Sequence, residues 1–299
     1  MRRLLMLLFL LPSLAFASVE TRRVEITHDG RARGAILDAA PGLRDAPLLV
    51  ALHGGIGGAS LVRRRAGVSL AHRGWAVLWP EADGQWNDGR LDRRGRPFGG
   101  ADDVGFLRAL VGELADAGMV DPERVFFAGP SIGGMMTLRM LCEAPDLVAG
   151  VAVAIAAQPA DLSCPDDGPP RPALFLHGEA DPLVPPEGGR LGGGALLVRD
   201  RGGLRSAAET AGLLARRNGC DGFVEREIGR PPPGDETRAF RRDYDGCAAP
   251  LVHIVVKGGG HTWPGSRAFG GQSLFVGETS QAISATREIE RFLEDLARE

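Results

Sequence analysis

The chain sorts into short, uninterrupted apolar runs separated by longer stretches whose apolar residues recur at helical spacing. The runs are 48–52, 75–79, the segment ending at Ala128, 147–157, 173–176 and 251–256. A run without polar alternation predicts a strand covered on both faces. Between them, 102–117 places Phe106, Leu107, Leu110 and Leu114 along one helical face behind an Asp102 or Asp103 cap. Ser206-Ala207-Ala208-Glu209 predicts a capping box opening a helix that ends near Asn218-Gly219. Residues 280–296 predict a closing amphipathic helix facing inward through Ile283, Ile289, Phe292, Leu293 and Leu296. Helical spacing over 60–72 is interrupted by Gly67. At the front, 24–27 and 35–37 flank Asp29-Gly30 and predict an antiparallel hairpin. Further strands are expected over 223–228 and 237–244. Apolar strands alternating with helices define an α/β fold, a mostly parallel central sheet with helices on both faces.

In such sheets function gathers beyond the carboxyl ends of the strands. Four strand ends here carry His53-Gly54-Gly55, Ser131, Asp181 and His261. Ser131 sits in Gly129-Pro130-Ser131-Ile132-Gly133, between a buried strand and a helix over 135–142. That is the pattern of a nucleophile elbow, where glycines let strand and helix cross closely and leave the serine exposed on a sharp turn. A hydroxyl becomes nucleophilic when a base takes its proton and an acid orients that base. Ser131, Asp181 and His261 stand in the nucleophile–acid–histidine order of α/β hydrolases, with Glu179 the alternative acid. Gly55, after the first buried strand, and the N–H of Ile132 are the candidate oxyanion donors. His28, His72 and His253 are expected on the surface or in the core, and His53 and His177 as turn residues.

Composition narrows the setting. Met1-Arg2-Arg3, an apolar run over 4–11 and Ala15-Phe16-Ala17 predict a secretory signal, residues 1–17, leaving 18–299 as a single catalytic domain. No later apolar run approaches the roughly 20 residues of a membrane span. Loss of Arg2 and Arg3 takes the net charge from −3 to −5, without a basic stripe, so nucleic acid is not expected as a partner. Four cysteines, Cys142, Cys164, Cys220 and Cys247, suit an oxidising compartment and admit three pairings, of which joining sequence neighbours is the simplest. None forms a Cys-x-x-Cys pair. Asp83, Asn87 and Asp88 lack the terminal glutamate of an EF-hand loop. No metal and no cofactor are expected.

Leu52-His53-Gly54-Gly55, Trp86-Asn87-Asp88-Gly89-Arg90, Asp102-Asp103-Val104-Gly105-Phe106, Gly129-Pro130-Ser131-Ile132-Gly133-Gly134-Met135-Met136, His177-Gly178-Glu179-Ala180-Asp181 and Gly259-Gly260-His261-Thr262-Trp263-Pro264-Gly265 resemble the secreted polyhydroxybutyrate depolymerase and feruloyl esterase group of α/β hydrolases. The resemblance runs from Leu48 to the C-terminus. It implies carboxylester hydrolysis by the triad above and supports a Cys220–Cys247 bridge. Pro130 and Ile132 depart from the Leu before and the Ala or Asn after the serine that the group more often has, which bears on pocket shape. The expected substrates are hydroxyalkanoate or feruloyl and other aromatic esters, with Trp86, Asn87 and Trp263 as candidate substrate-binding residues. An acyltransferase or peptidase would share the triad. A non-catalytic binding protein with a relict fold would not need it.

Overall fold

The computed structural model describes residues 18–165, 168–192, 202–266 and 273–298. The proposed signal over 1–17 and part of the Gly-rich stretch 188–203 lie outside the described residues.

The first two strands, β1 (Glu20–His28) and β2 (Arg31–Ala39), form the hairpin expected around Asp29-Gly30. Both turn residues have positive φ, 47° and 71°, the conformation an Asp-Gly turn supplies. Next come β3 (Ala46–Ala51), α1 (Gly58–Ala66) and β4 (Ala76–Pro80). The helix expected over 60–72 is split. Gly67 takes a left-handed conformation (φ 61°) and ends α1, and a short 3₁₀ turn over Leu70–Arg73 follows. The helix α2 (Asp103–Asp116) starts at an Asp102 cap that accepts from the Gly105 N–H. Then β5 (Val120–Pro130) delivers the elbow to α3 (Ile132–Glu143).

After α3, β6 (Gly150–Ala154) is shorter than the apolar run suggests, because a 3₁₀ turn over Pro145–Leu147 precedes it and Ile155, at φ 44°, ends it. β7 (Ala173–Gly178) is followed by a minor two-residue pair, β8 (Gly189–Arg190) and β9 (Gly203–Leu204). The capping box at Ser206 and Glu209 forms and opens α4 (Ala207–Asn218). β10 (Gly222–Ile228), β11 (Arg238–Asp245) and β12 (Leu251–Lys257) complete the sheet. A one-turn helix α5 (Ser273–Val276) and the amphipathic α6 (Ala285–Leu296) close the chain.

The main sheet runs β1-β2-β4-β3-β5-β6-β7-β12-β11-β10. Its centre, β4 to β12, is parallel, and each flank is an antiparallel hairpin. One core layer packs Val50, Phe127, Val153 and Phe175 with Phe106, Leu110, Met135 and Leu214 of α2, α3 and α4. The other packs Leu49, Phe126 and Leu176 with Ala59 and Ala66 of α1 and Ile289 and Leu293 of α6. Two covered faces explain why the central strands read as continuous apolar runs. The outermost strand, β10, is exposed along nearly its whole length. It carries cross-strand ion pairs to β11: Glu225 with Arg242, Arg226 with Asp243 and Glu227 with Arg238. Disulfides join Cys142 to Cys164 and Cys220 to Cys247. Among the described residues no helix is long and apolar enough to cross a membrane.

Candidate active site

The parallel strands β3, β5, β7 and β12 end on one edge of the sheet and bring the four predicted strand-end segments together. At the β5 end the chain turns sharply into α3. A Cβ added to Gly129 would lie 2.6 Å from the Gly133 carbonyl carbon, and one added to Gly133 would lie 2.5 Å from the carbonyl oxygens of Leu52 and His53. Only glycine fits where strand and helix cross this closely. The turn leaves Ser131 at φ 54°, ψ −126°, a conformation that L-residues rarely adopt. Ser131 precedes the first turn of α3, whose unpaired N–H groups and positive dipole end face the same side.

His261 bridges the other two groups. Its Nε2 lies 3.0 Å from Ser131 Oγ and its Nδ1 lies 2.8 Å from Asp181 Oδ2. Asp181 is buried, and its second oxygen accepts from the N–H groups of Leu183 and Val184, both at 2.8 Å. With both carboxylate oxygens held, Nδ1 must carry the imidazole proton, which leaves Nε2 free to accept from the serine. Glu179, the alternative acid, is exposed. The loop bearing His261 is anchored by backbone: its N–H donates to Val276 O, Gly260 N–H to Glu278 O (2.8 Å), and Thr262 Oγ1–H to Glu278 O (3.0 Å). Nothing in the sequence pattern pointed to this α5 anchor.

Ile132 heads α3, and its N–H has no acceptor within the helix. Gly55 lies beside the Ile132 side chain: a Cβ on Gly55 would lie 3.6 Å from Ile132 Cδ1. His53 is buried, with Nδ1 2.7 Å from Gly54 O and Nε2 3.1 Å from the Ala82 N.

The predicted substrate-binding residues fare differently. Trp86 has no exposed surface, so it forms no substrate wall, and its indole N–H donates to His53 O at 2.9 Å. Asn87 is held by its own loop and the start of α2: its backbone N–H donates to the Asp103 carboxylate (2.6 Å) and its side-chain amide N–H to Ala101 O (3.1 Å). Trp263 is half-buried and donates to Thr286 Oγ1 of α6 at 2.9 Å. An indole's burial is decided by what folds over it, which local sequence does not state. Asp83 pairs with Arg31, and Asp88 with the buried Arg90, so they do not converge with Asn87 on a cation. Outside the triad, His28, Asp29 and Asp102 bring three ligand atoms within 4.8 Å of one another near the β1–β2 turn. Asp102 there is already the cap of α2.

Two further histidines lie behind the site. His177 and His253 are buried neighbours on β7 and β12, with ring nitrogens 3.1 Å apart. Burial, with the Arg242 charge adding to it, lowers His177 to about 4 against a partial counter-pull from Asp181. Burial likewise holds His253 well below the usual histidine range. Both are neutral core groups.

The fold and the strand-end serine, histidine and carboxylate are those of an α/β hydrolase. The comparisons agree. The putative esterase NocK of Nocardia uniformis subsp. tsuyamanensis is 35% identical over 293 residues, covering 93% of this chain and 83% of that protein. A probable feruloyl esterase C of Aspergillus terreus is 26% identical over 161 residues, 54% of this chain and 50% of that protein. The chain thus spans about half the length of that feruloyl esterase. In structure, acetyl xylan esterase from Aspergillus awamori superposes with a TM-score of 0.59 at 16% identity, over 91% of this chain and 98% of that one, a likeness of fold. No family model matches the chain. The chain belongs to the esterase family of α/β hydrolases that takes in the feruloyl esterases, and is a serine hydrolase of carboxylic esters.

Proposed function

We propose that Ser131, His261 and Asp181 hydrolyse esters of hydroxyalkanoate or aromatic acids through an acyl-enzyme. The carrying observation is His261, held by Asp181 on one nitrogen and within hydrogen-bond reach of Ser131 Oγ on the other. As Ser131 Oγ attacks the ester carbonyl carbon, His261 Nε2 takes its proton. Negative charge develops on the carbonyl oxygen, where the N–H groups of Gly55 and Ile132 would stabilise it. The imidazolium then gives its proton to the departing alcohol. Water, activated by the same nitrogen, attacks the acyl-serine and releases the acid. Trp263 remains a candidate for the edge of the substrate site.

Two exposed apolar side chains adjoin site residues in the sequence. Ile56, next to Gly55, is 85% exposed, and Phe275, next to the Val276 carbonyl that anchors His261, is 75% exposed. On this reading the two side chains, next in sequence to an oxyanion donor and to the anchor of His261, would meet an apolar part of the substrate. The two disulfides suit an exported protein, which on this reading is a single domain over 18–299.

A fluorophosphonate probe should label the wild type and leave Ser131→Ala unlabelled. Ser131→Ala, His261→Ala and Asp181→Asn should each lower kcat by about 10³-fold or more, and any pair should cost little more than the worst single change. Near wild-type turnover in Asp181→Asn would move the acid role to Glu179. A panel of p-nitrophenyl esters, methyl ferulate and hydroxybutyrate oligomers identifies the acyl group. Activity restricted to amides would favour a peptidase.

A further inference from the structure

The oxyanion donor on Gly55 belongs to a peptide unit whose other end is the Gly54 carbonyl. That carbonyl oxygen lies 2.7 Å from His53 Nδ1. A carbonyl only accepts, so Nδ1 carries a hydrogen and donates it to Gly54 O. Because the peptide is planar, fixing its C=O fixes the direction of its N–H. A hydrogen bond accepted at the oxygen also polarises the unit and makes the N–H a better donor. The preceding peptide is held in the same way, with His53 O accepting from the Trp86 indole at 2.9 Å.

The tautomer is set from behind. The Ala82 N–H points at His53 Nε2 from 3.1 Å, so Nε2 accepts and the donated hydrogen is the one on Nδ1. Glu81 Oε1 lies 3.3 Å from the same nitrogen. The Trp86 ring tilts against His53 with centroids 5.1 Å apart, and both side chains are buried. Among the described residues, their hydrogen bonds and ring contact run to Gly54, Ala82 and each other, and none joins Ser131, Asp181 or His261. We propose that His53 and Trp86 are positioning residues for transition-state stabilisation, clamping two successive carbonyls so that the Gly55 N–H is aimed before substrate arrives. This rests on the reading of Ser131 as nucleophile and Gly55 as oxyanion donor.

Substitutions in the full chain separate this from a packing role. His53→Gln keeps an acceptor near the Nε2 position and loses the Nδ1 donor. His53→Asn keeps a donor near Nδ1. Trp86→Phe keeps the ring and loses its N–H. Turnover of p-nitrophenyl butyrate is measured per site titrated with fluorophosphonate, well below each variant's melting temperature. Inhibition by phenylboronic acid, whose tetrahedral serine adduct places an oxygen among the same donors, is measured alongside. His53→Gln should lower kcat on the order of 10- to 100-fold with KM within about twofold, and weaken phenylboronate by a similar factor. His53→Asn should recover most of that loss, and Trp86→Phe should cost about tenfold in kcat. Equal kcat in the wild type and His53→Gln, or equal loss in the Gln and Asn variants, overturns the proposal. If His53→Gln does not fold, undiminished kcat in Trp86→Phe overturns it instead. Activity surviving in Ser131→Ala would instead remove the underlying site reading, so the two failures are distinguishable.

Discussion

Ser131 is held at a positive φ that glycine adopts freely, and that strain is a cost of presenting Oγ at the sheet edge. Two inactive variants expose it. Ser131→Gly should melt higher than Ser131→Ala, because relief of about 1–3 kcal/mol outweighs the ~0.4–1 kcal/mol of extra unfolded-state entropy that glycine brings. The gap should be about 2–5 °C by calorimetry, and equal melting temperatures would mean the turn is unstrained. At this scale the sequence was informative where spacing carries meaning. Glycines two residues either side of a serine, and polar residues directly after apolar runs, marked the strand ends that meet here. It was silent on the partners of Trp86, Asn87 and His53, since an indole or imidazole beside a glycine reads alike whether it faces solvent or a buried carbonyl.

At the level of elements, boundaries moved where a single backbone conformation overrode an apolar pattern, as at Gly67 and Ile155. The capping box at Ser206 and the Asp102 cap were legible because a capping side chain and the backbone N–H it accepts from lie three residues apart. The disulfides join elements that local pattern cannot relate. Cys220 follows the end of α4 and Cys247 precedes β12, so their bridge ties the helix end to the strand leading to His261. Cys142 lies in the last turn of α3, and its bridge to Cys164 pins the loop behind that helix. With partners separated by 22 and 27 positions in the sequence, each bridge contributes roughly 3–4 kcal/mol in the chain-entropy model. Cys220→Ser with Cys247→Ser should lower both melting temperature and kcat, since about 1 Å of histidine displacement costs on the order of a hundredfold. Cys142→Ser with Cys164→Ser should lower melting temperature and spare most of the turnover. A kcat unaffected by the first pair would show that β12 is held without the bridge.

For the molecule as a whole, the layered α/β architecture was legible because both core layers leave their mark on the same central strands. The order of strands across the sheet was not, since it depends on which crossovers pack. The buried His177–His253 pair sets an acid limit on stability. Each imidazole stays neutral in the fold but takes up a proton when unfolded below about pH 6.5, so stability is full above that pH and declines as pH falls from 6.5 towards 4. The shift of His177 to about 4 corresponds to on the order of 3 kcal/mol across that window. Urea midpoints measured from pH 7 to 4 should therefore fall less steeply in a His177→Phe, His253→Leu double variant than in the wild type. Parallel slopes would assign the acid sensitivity to other groups. The exposed β10 strand bears on how the protein behaves in crowded solution. Its unpaired backbone edge is a template for another chain, and the rungs of opposite charge across β10 and β11 make an incoming strand bury ions. Replacing Glu225 and Glu227 with valine should leave kcat intact while light scattering rises with protein concentration. The edge would then act as a gatekeeper, keeping an open sheet from polymerising through its own hydrogen bonds.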